Sequence, residues 1–430
     1  MRQVLTSDRG GYYTTTRTAD QFGRAGDFIT SPEISQIFGE LCGIWFMTEW
    51  LGQGRKSSGV QLIEMGPGRG TLMSDVLRTI AQFKGFANSI DAVWMIEASE
   101  GLRIKQKELL CGKTAGLKKL ADGSGWECES KSGIPVRWVE DIALLPKVEV
   151  GHAMPFIIAH EFFDALPIHA FESVAPALNS EPPTELLDSA GQVVRKSSAS
   201  LKPQWRELLV SPTPWNPSFI STQAEVEKST LTKDAQPDFQ LTLAKASTPT
   251  SLVMTSRPRY EAIKSQLGSR IEISPESARY VADFARRVDK VGAALIIDYG
   301  SLDTIPINSL RGIKAHKIIS PFSTPGEADV SADVDFTALA EASLDASENV
   351  EVYGPVEQGA WLLQLGIKER AEQLIRGLKD EDAKREFNSG WKRLVEGGPR
   401  GMGKAYKVMS IVPGSGGQRR PVGFGGAVAT

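Results

Sequence analysis

Apolar positions recur along the chain in two rhythms, short continuous runs and longer stretches at helical spacing. Val60 to Met65 is such a run, closed by glycines, and Thr71 to Phe83 then sets Leu72, Val76, Leu77 and Ile80 on one helical face. The pattern predicts strand, glycine-rich turn and helix. Ala92 to Glu97 reads as a second strand, Glu100 to Leu110 as a second helix, Pro155 to Ala159 as a third, buried strand, and Ala293 to Tyr299 as a fourth. Strands that alternate with helices in this way imply a parallel sheet with right-handed crossovers.

The texture changes between Ser173 and Thr255, where Ser, Thr, Pro and Ala dominate and WRELLV is one of few strand-like pieces. This stretch reads as a partly loop-like insertion, the alternative being a disordered linker between two domains. The rhythm returns after Ser274 with PESARYVADFARRV, an amphipathic helix leading into Ala293. The expected organisation is an N-terminal helical segment over 1–58, a first part of the main domain over 59–172, an insertion over 173–273, the rest of the main domain over 274–415, and a flexible tail over 416–430.

Composition narrows the classes open to such a chain. With 41% hydrophobic and 23% charged residues, 430 residues bury one large core or two moderate ones. The 49 basic and 52 acidic residues leave a net charge of −3, so no global field favours nucleic acid. Cys42, Cys111 and Cys128 lack metal-ligand spacing and read as reduced thiols. No apolar run reaches the ~18 residues that span a bilayer, and Leu41 to Leu51 is broken by Gly43, Thr48 and Glu49. The N-terminus shows neither a secretory core nor a complete mitochondrial presequence.

The chemistry gathers in two motifs. In EMGPGRG, Glu64 closes the strand, Gly66, Gly68 and Gly70 free the backbone to turn, and Thr71 opens a helix whose bare N–H groups can face a ligand. Dinucleotide-binding turns place the third glycine three residues after the second, above a pyrophosphate. The GxGxG spacing here, with an acid two residues ahead, disfavours an anion and suits S-adenosylmethionine, which carries an ammonium and a sulfonium. Glu97, at the next strand end, is positioned to accept hydrogen bonds from ribose hydroxyls, and Asp141 from the adenine amino group. The plainer reading makes both surface acids at strand ends.

The second motif, HEFFDALP at 160–167, follows the buried strand PFIIA. In doubly wound sheets ligands lie at the carboxyl ends of the strands, so His160, Glu161 and Asp164 should border the transferred methyl group. Taken alone, Asp164 could equally cap a helix and His160 could be a core histidine. GDFITSPEISQIFGE at 26–40 carries an N-cap signal at Ser31 followed by Pro32 and Glu33. It reads either as a lid formed by Asp27, Thr30 and Glu33 or as a well-capped helix packed on the sheet. Asp329, Asp333 and Asp335 lack calcium-loop spacing, and no metal is predicted.

Residues 11–46, 62–78 and 156–172, with AALIIDYG, PGEADVSADVDF and LLQLGIKERAEQL further on, resemble the MidA family of S-adenosylmethionine-dependent methyltransferases. Mitochondrial members of that family are complex I assembly factors and protein arginine methyltransferases. The resemblance implies a Rossmann-like class I fold with a twisted, mostly parallel seven-stranded sheet, an inserted irregular or β region and an N-terminal helical lid. It also implies symmetric, type II dimethylation of an arginine in the 49 kDa-type subunit of complex I, in the mitochondrial matrix. Bacterial relatives carry Asn where this chain has His160. Two alternatives stand beside it: a catalytically silent assembly chaperone, and a methyltransferase with another amino-group acceptor, whose usual Asn/Asp-Pro-Pro-aromatic loop lacks its prolines here.

Overall fold

The computed structural model describes residues 1–7, 9–14, 23, 26–27, 29–146, 153–175, 186–187, 193–194, 202–214 and 237–426. Much of the Ser/Thr/Pro-rich stretch read as an insertion or a linker lies outside them. The chain divides into two compact units, one of residues 1–167, 276–306 and 310–430, the other of residues 168–275 and 307–309.

The first unit is built on a nine-stranded sheet. Its strands in chain order are β1 (Val60–Met65), β2 (Ile90–Ile96), β3 (Lys118–Lys119), β4 (Trp126–Glu129), β5 (Pro135–Val139), β6 (Met154–His160), β7 (Ala293–Tyr299), β8 (Val350–Glu357) and β9 (Tyr406–Pro413). They lie side by side as β8-β9-β7-β6-β1-β2-β5-β4-β3. The five central strands from β7 to β5 run parallel, and the outer ones pair antiparallel. The sheet therefore has nine strands where seven were expected. The two extra strands are the short β3 and β4, whose two and four residues alternate too briefly to leave a periodic signal.

Side chains alternate across the sheet into two cores. Leu62, Phe156, Ile158 and Leu295 face one apolar layer, and Ile63, Ile157, Ala159 and Ile296 the other. Burial on both faces explains why these strands read as unbroken apolar runs. On the first face the helix Gln36–Gly52 packs on the helix Thr71–Ile80, where a methyl group on Gly39 would lie 2.6 Å from Asp75 Cβ. No helix among the described residues is long and apolar enough to cross a membrane.

Residues 416–426, read above as a flexible tail, are held in place. The Trp45 indole N–H donates to the Val422 carbonyl (3.0 Å), Arg419 pairs with buried Glu49 (2.7 Å), and the Phe424 ring is buried. The second unit carries an antiparallel sheet in the order Phe239–Leu243, Gln204–Pro212, His169–Val174, Arg270–Ile273. Phe171, Trp205 and Ile271 are buried in it, and Glu207 joins its pieces by accepting from the Thr248 and Thr250 hydroxyls and contacting His169 (2.7 Å).

Candidate functional site

In the order of the parallel strands, successive connections leave β1 in opposite directions, toward β2 and β5 on one side and toward β6 and β7 on the other. The carboxyl ends of β1 and β6 therefore flank the point where open α/β sheets leave a crevice. A cavity of about 350 Å³ lies there. Glu64, Gly66, Gly68, Thr71, Glu97, Asp141, His160 and Glu161 all line it, whereas Gly70 and Asp164 do not.

The glycine turn is shaped by backbone rather than side chains. Gly66, Gly68 and Gly70 have φ of 56°, 52° and 81°, a region that strains residues with a Cβ. A Cβ on Gly66 would meet the Phe162 ring at 3.1 Å, and one on Gly70 would meet Gln106 at 3.2 Å. Glu64 is the penultimate residue of β1, with its carboxyl buried and its Oε2 without a hydrogen-bond partner. Burial pushes its pKa well above the ordinary value; the Met73 amide acts against this, and the Glu97 carboxylate adds to it.

Glu97 is fixed from two sides, by the Ser99 amide on Oε1 (2.8 Å) and by Gln106 Nε2 on Oε2 (2.9 Å). Burial raises its pKa to about 7. Gln106 donates in addition to the Gly68 carbonyl (2.7 Å), and its Oε1 accepts from the Trp138 indole N–H (2.9 Å). One fully buried amide thus ties the glycine turn, Glu97 and β5 together. Gln106 escapes a reading of the sequence because a polar residue in an amphipathic helix looks like a solvated position.

Asp141 lies at the cavity with its hydrogen-bonding capacity partly taken. It caps a short turn by accepting from the Ala143 amide (2.9 Å), and its other oxygen accepts from Tyr280 (3.0 Å) and Arg279 (3.3 Å). Burial acts to raise its pKa, but these partners outweigh it and the pKa is lowered. Across the cavity, Thr30, Pro32 and Glu33 come from the segment read as lid or capped helix. The cap residue is Thr30 rather than Ser31, because Thr30 holds the extended backbone and closes a capping box with Glu33. Glu33 also pairs with Arg69 of the glycine turn (3.0 Å). Asp27 lies outside the cavity lining and accepts from the Tyr12 hydroxyl (2.7 Å) and the Ala315 amide (2.8 Å).

On the β6 side, the His160 ring packs beside Phe38 and stacks on Tyr406, with centroid separations of 5.0 and 6.4 Å. Burial lowers its pKa to about 3, so the ring is neutral at physiological pH. Its Nε2 lies 3.3 Å from Glu161 Oε1, yet the geometry is not that of a hydrogen bond and neither atom has a partner. Glu161 has a left-handed backbone with φ of 50°. Its carboxyl pKa is raised to about 8, first by burial and then by Asp298, while Tyr406 and the Ser31 amide act in the opposite sense. Asp164 turns away from the cavity into a buried group with Asp298, Asp329 and Arg311, and burial followed by those two aspartates raises its pKa. No group of metal-ligating side chains occurs among the described residues.

Fold and site define a class: a doubly wound α/β protein whose central strands end on a cavity with a glycine turn and unmatched buried carboxylates, suited to a cationic ligand. The chain belongs to the family described as putative S-adenosyl-L-methionine-dependent methyltransferases, whose model matches residues 41–356. This is the membership implied by the motifs in the sequence. The chain is 32% identical over its whole length to a rat protein named "Protein arginine methyltransferase NDUFAF7, mitochondrial", covering 83% of it. It is 34% identical to the Drosophila melanogaster homologue over 96% of this chain and 80% of that protein. A likely methyl transferase of the COG1565 superfamily from Burkholderia thailandensis, bound to S-adenosyl-homocysteine, shares the fold, with a TM-score of 0.64, 21% identity, and coverage of 99% of this chain and 87% of that one. S-adenosylmethionine is the cofactor of the family, and the residues present fit it: Glu64 Oε2 is a buried acceptor awaiting a donor, and in the turn beside it Cβ atoms on Gly66 and Gly70 would crowd Phe162 and Gln106.

Proposed function

We propose that this chain is a protein arginine methyltransferase of the mitochondrion, carrying out symmetric dimethylation on the 49 kDa-type subunit of complex I and thereby serving complex I assembly. The observation that carries the acceptor chemistry is the pair of unmatched buried carboxylate oxygens, Glu64 Oε2 and Glu161 Oε1, in one cavity. Glu64, Glu97 and Asp141, with the turn from Gly66 to Thr71, hold the cofactor, whose sulfonium supplies an electrophilic methyl group. Glu161 is left to receive a second cation.

A guanidinium suits that place. It stays protonated at any physiological pH and presents a planar fork of donors to a carboxylate. In the free protein Glu161 is largely protonated at neutral pH. Binding of the acceptor therefore expels that proton, and the ionised carboxylate draws positive charge toward itself and away from the attacking nitrogen. Positioning and electrostatics then supply the acceleration. The proton shed by the methylated nitrogen passes to Glu161 Oε1 rather than to His160, whose burial makes it a poor base. Asp164 sits behind the loop, where its charge meets that of Arg311, rather than on the acceptor.

The relatives' names support the arginine acceptor and the mitochondrial setting. The symmetric product and the 49 kDa-type subunit rest on the family resemblance. Mass spectrometry of that subunit, after incubation with the purified protein and labelled methyl donor, tests the proposal. Symmetric dimethylarginine is the expected product. Unmodified arginine under conditions where the donor demonstrably binds would overturn it.

A further inference from the structure

We infer that Asp298 is the positioning residue for Glu161, gripping the backbone amides of residues 162–164 from the end of β7; this rests on the reading of Glu161 given above. The Glu161 N–H donates to the Ile297 carbonyl (3.0 Å). The next three amides, of Phe162, Phe163 and Asp164, all donate to Asp298 Oδ2 at 3.1, 2.8 and 3.4 Å. Asp298 Oδ1 accepts from the Tyr299 amide (2.8 Å). Four successive amides of the loop thus end on two adjacent residues of one strand.

The clamp has a register and a purpose. Ile296 pairs with Ala159 and Ile297 with His160, so the ladder between β6 and β7 brings Asp298 beneath the first residues after β6. Glu161 holds a left-handed backbone, which a residue with a side chain keeps only where its surroundings over-determine it. A carboxylate accepting from a concave run of amides supplies that determination. Asp298 is fully buried and does not line the cavity, so it reaches the acceptor only through Glu161. Its charge acts on the same group. The groups facing Glu161 are Asp298 from β7, Asp329 from the strand Asp329–Ser331, Asp164 three residues on, Tyr299 and Tyr406, the Ser31 amide, and His160 beside it.

The test compares Asp298→Asn and Glu161→Gln with the wild-type chain. In Asp298→Asn, amides 162–164 should exchange with solvent roughly 10- to 100-fold faster as charge-assisted hydrogen bonds are lost. The Glu161 carboxyl, followed by carbon NMR with Glu161→Gln as the assignment control, should titrate at lower pH once a neighbouring negative charge is gone. Affinity for S-adenosylhomocysteine should stay within about twofold, since binding energy is altered only by groups in contact or coupled to the ligand. Transfer to the 49 kDa-type subunit should fall. Exchange and titration identical to wild type would overturn the inference, as would faster exchange spread over the whole parallel sheet with a lowered Tm. If Glu161→Gln transfers methyl groups normally, the reading of Glu161 itself fails. If it is inactive while Asp298→Asn transfers with an unchanged pH profile, the positioning role alone fails.

Discussion

Glu161 joins three unfavourable features at one residue: a left-handed backbone, a buried carboxyl, and an oxygen with no hydrogen-bond partner. Left-handed backbone alone costs on the order of 1–3 kcal/mol in a residue with a side chain. Such a group gains most when a cation arrives. Glu161→Gln should keep S-adenosylhomocysteine affinity and lose transfer by roughly 10²-fold, the scale of one preorganised electrostatic contact. A calorimetric titration beside a transfer assay decides it. In the wild type, kcat/KM for the acceptor should fall about tenfold per pH unit below the free-protein pKa of about 8, because the ionised carboxylate is the binding form. A profile flat from pH 6 to 8 would contradict that. Gly68→Val places a β-branched residue at φ of 52° and should abolish cofactor binding while Glu161 is untouched.

Among the elements, strand, turn and helix around Glu64 were plain in the sequence because their apolar periods and glycines are local properties. What ties the elements together was not. Gln106 satisfies Glu97, the Gly68 carbonyl and Trp138 at once. In the sequence it is one polar residue among Lys105, Lys107 and Glu108, and periodicity cannot separate a buried hub from a solvated face. Gln106→Leu leaves those partners unmatched, at about 1–3 kcal/mol each where burial is kept. Its Tm should drop and its cofactor affinity should weaken together, as read by calorimetry; an unchanged Tm would mean the partners find water. Asp298 did leave a signal, an acid at the end of the apolar run AALIID, which in a strand buried on both faces demands partners. Asp164 shows the opposite limit: HEFFD placed three ionisable groups near the site, and only the φ of Glu161 and the clamp on the following amides decide which of them face the cavity. The strands β3 and β4 were invisible for want of length.

For the whole molecule, the buried carboxyls set an unusual dependence on pH. Glu97 and Asp298 are raised to about 7, Asp329 to about 6 and Glu161 to about 8, in each case first by burial. Over the range from about 4 to 8 the folded chain holds protons that the unfolded chain has released, so these groups lower stability as pH rises. His160 has the reverse sign: its pKa is depressed to about 3, so it contributes stability above about pH 6.5 that is lost as pH falls toward 3. Above pH 6.5 His160 adds no further slope, and the several raised carboxyls outnumber the single Met1 amino group, whose burial-lowered pKa acts in the opposite sense. The Tm of the ligand-free protein should therefore decline from pH 6.5 to 8.5, and S-adenosylhomocysteine, which brings an ammonium, should flatten that decline; a scanning-calorimetry series with a rising Tm would refute it. The hub at Gln106 has an optical consequence as well. Its amide oxygen holds the indole of Trp138, a fully buried fluorophore, and its nitrogen holds the carboxylate and the turn that line the cavity. The chain therefore carries its own reporter of occupancy: filling the cavity should shift the emission of Trp138, and Trp138→Phe should abolish that shift.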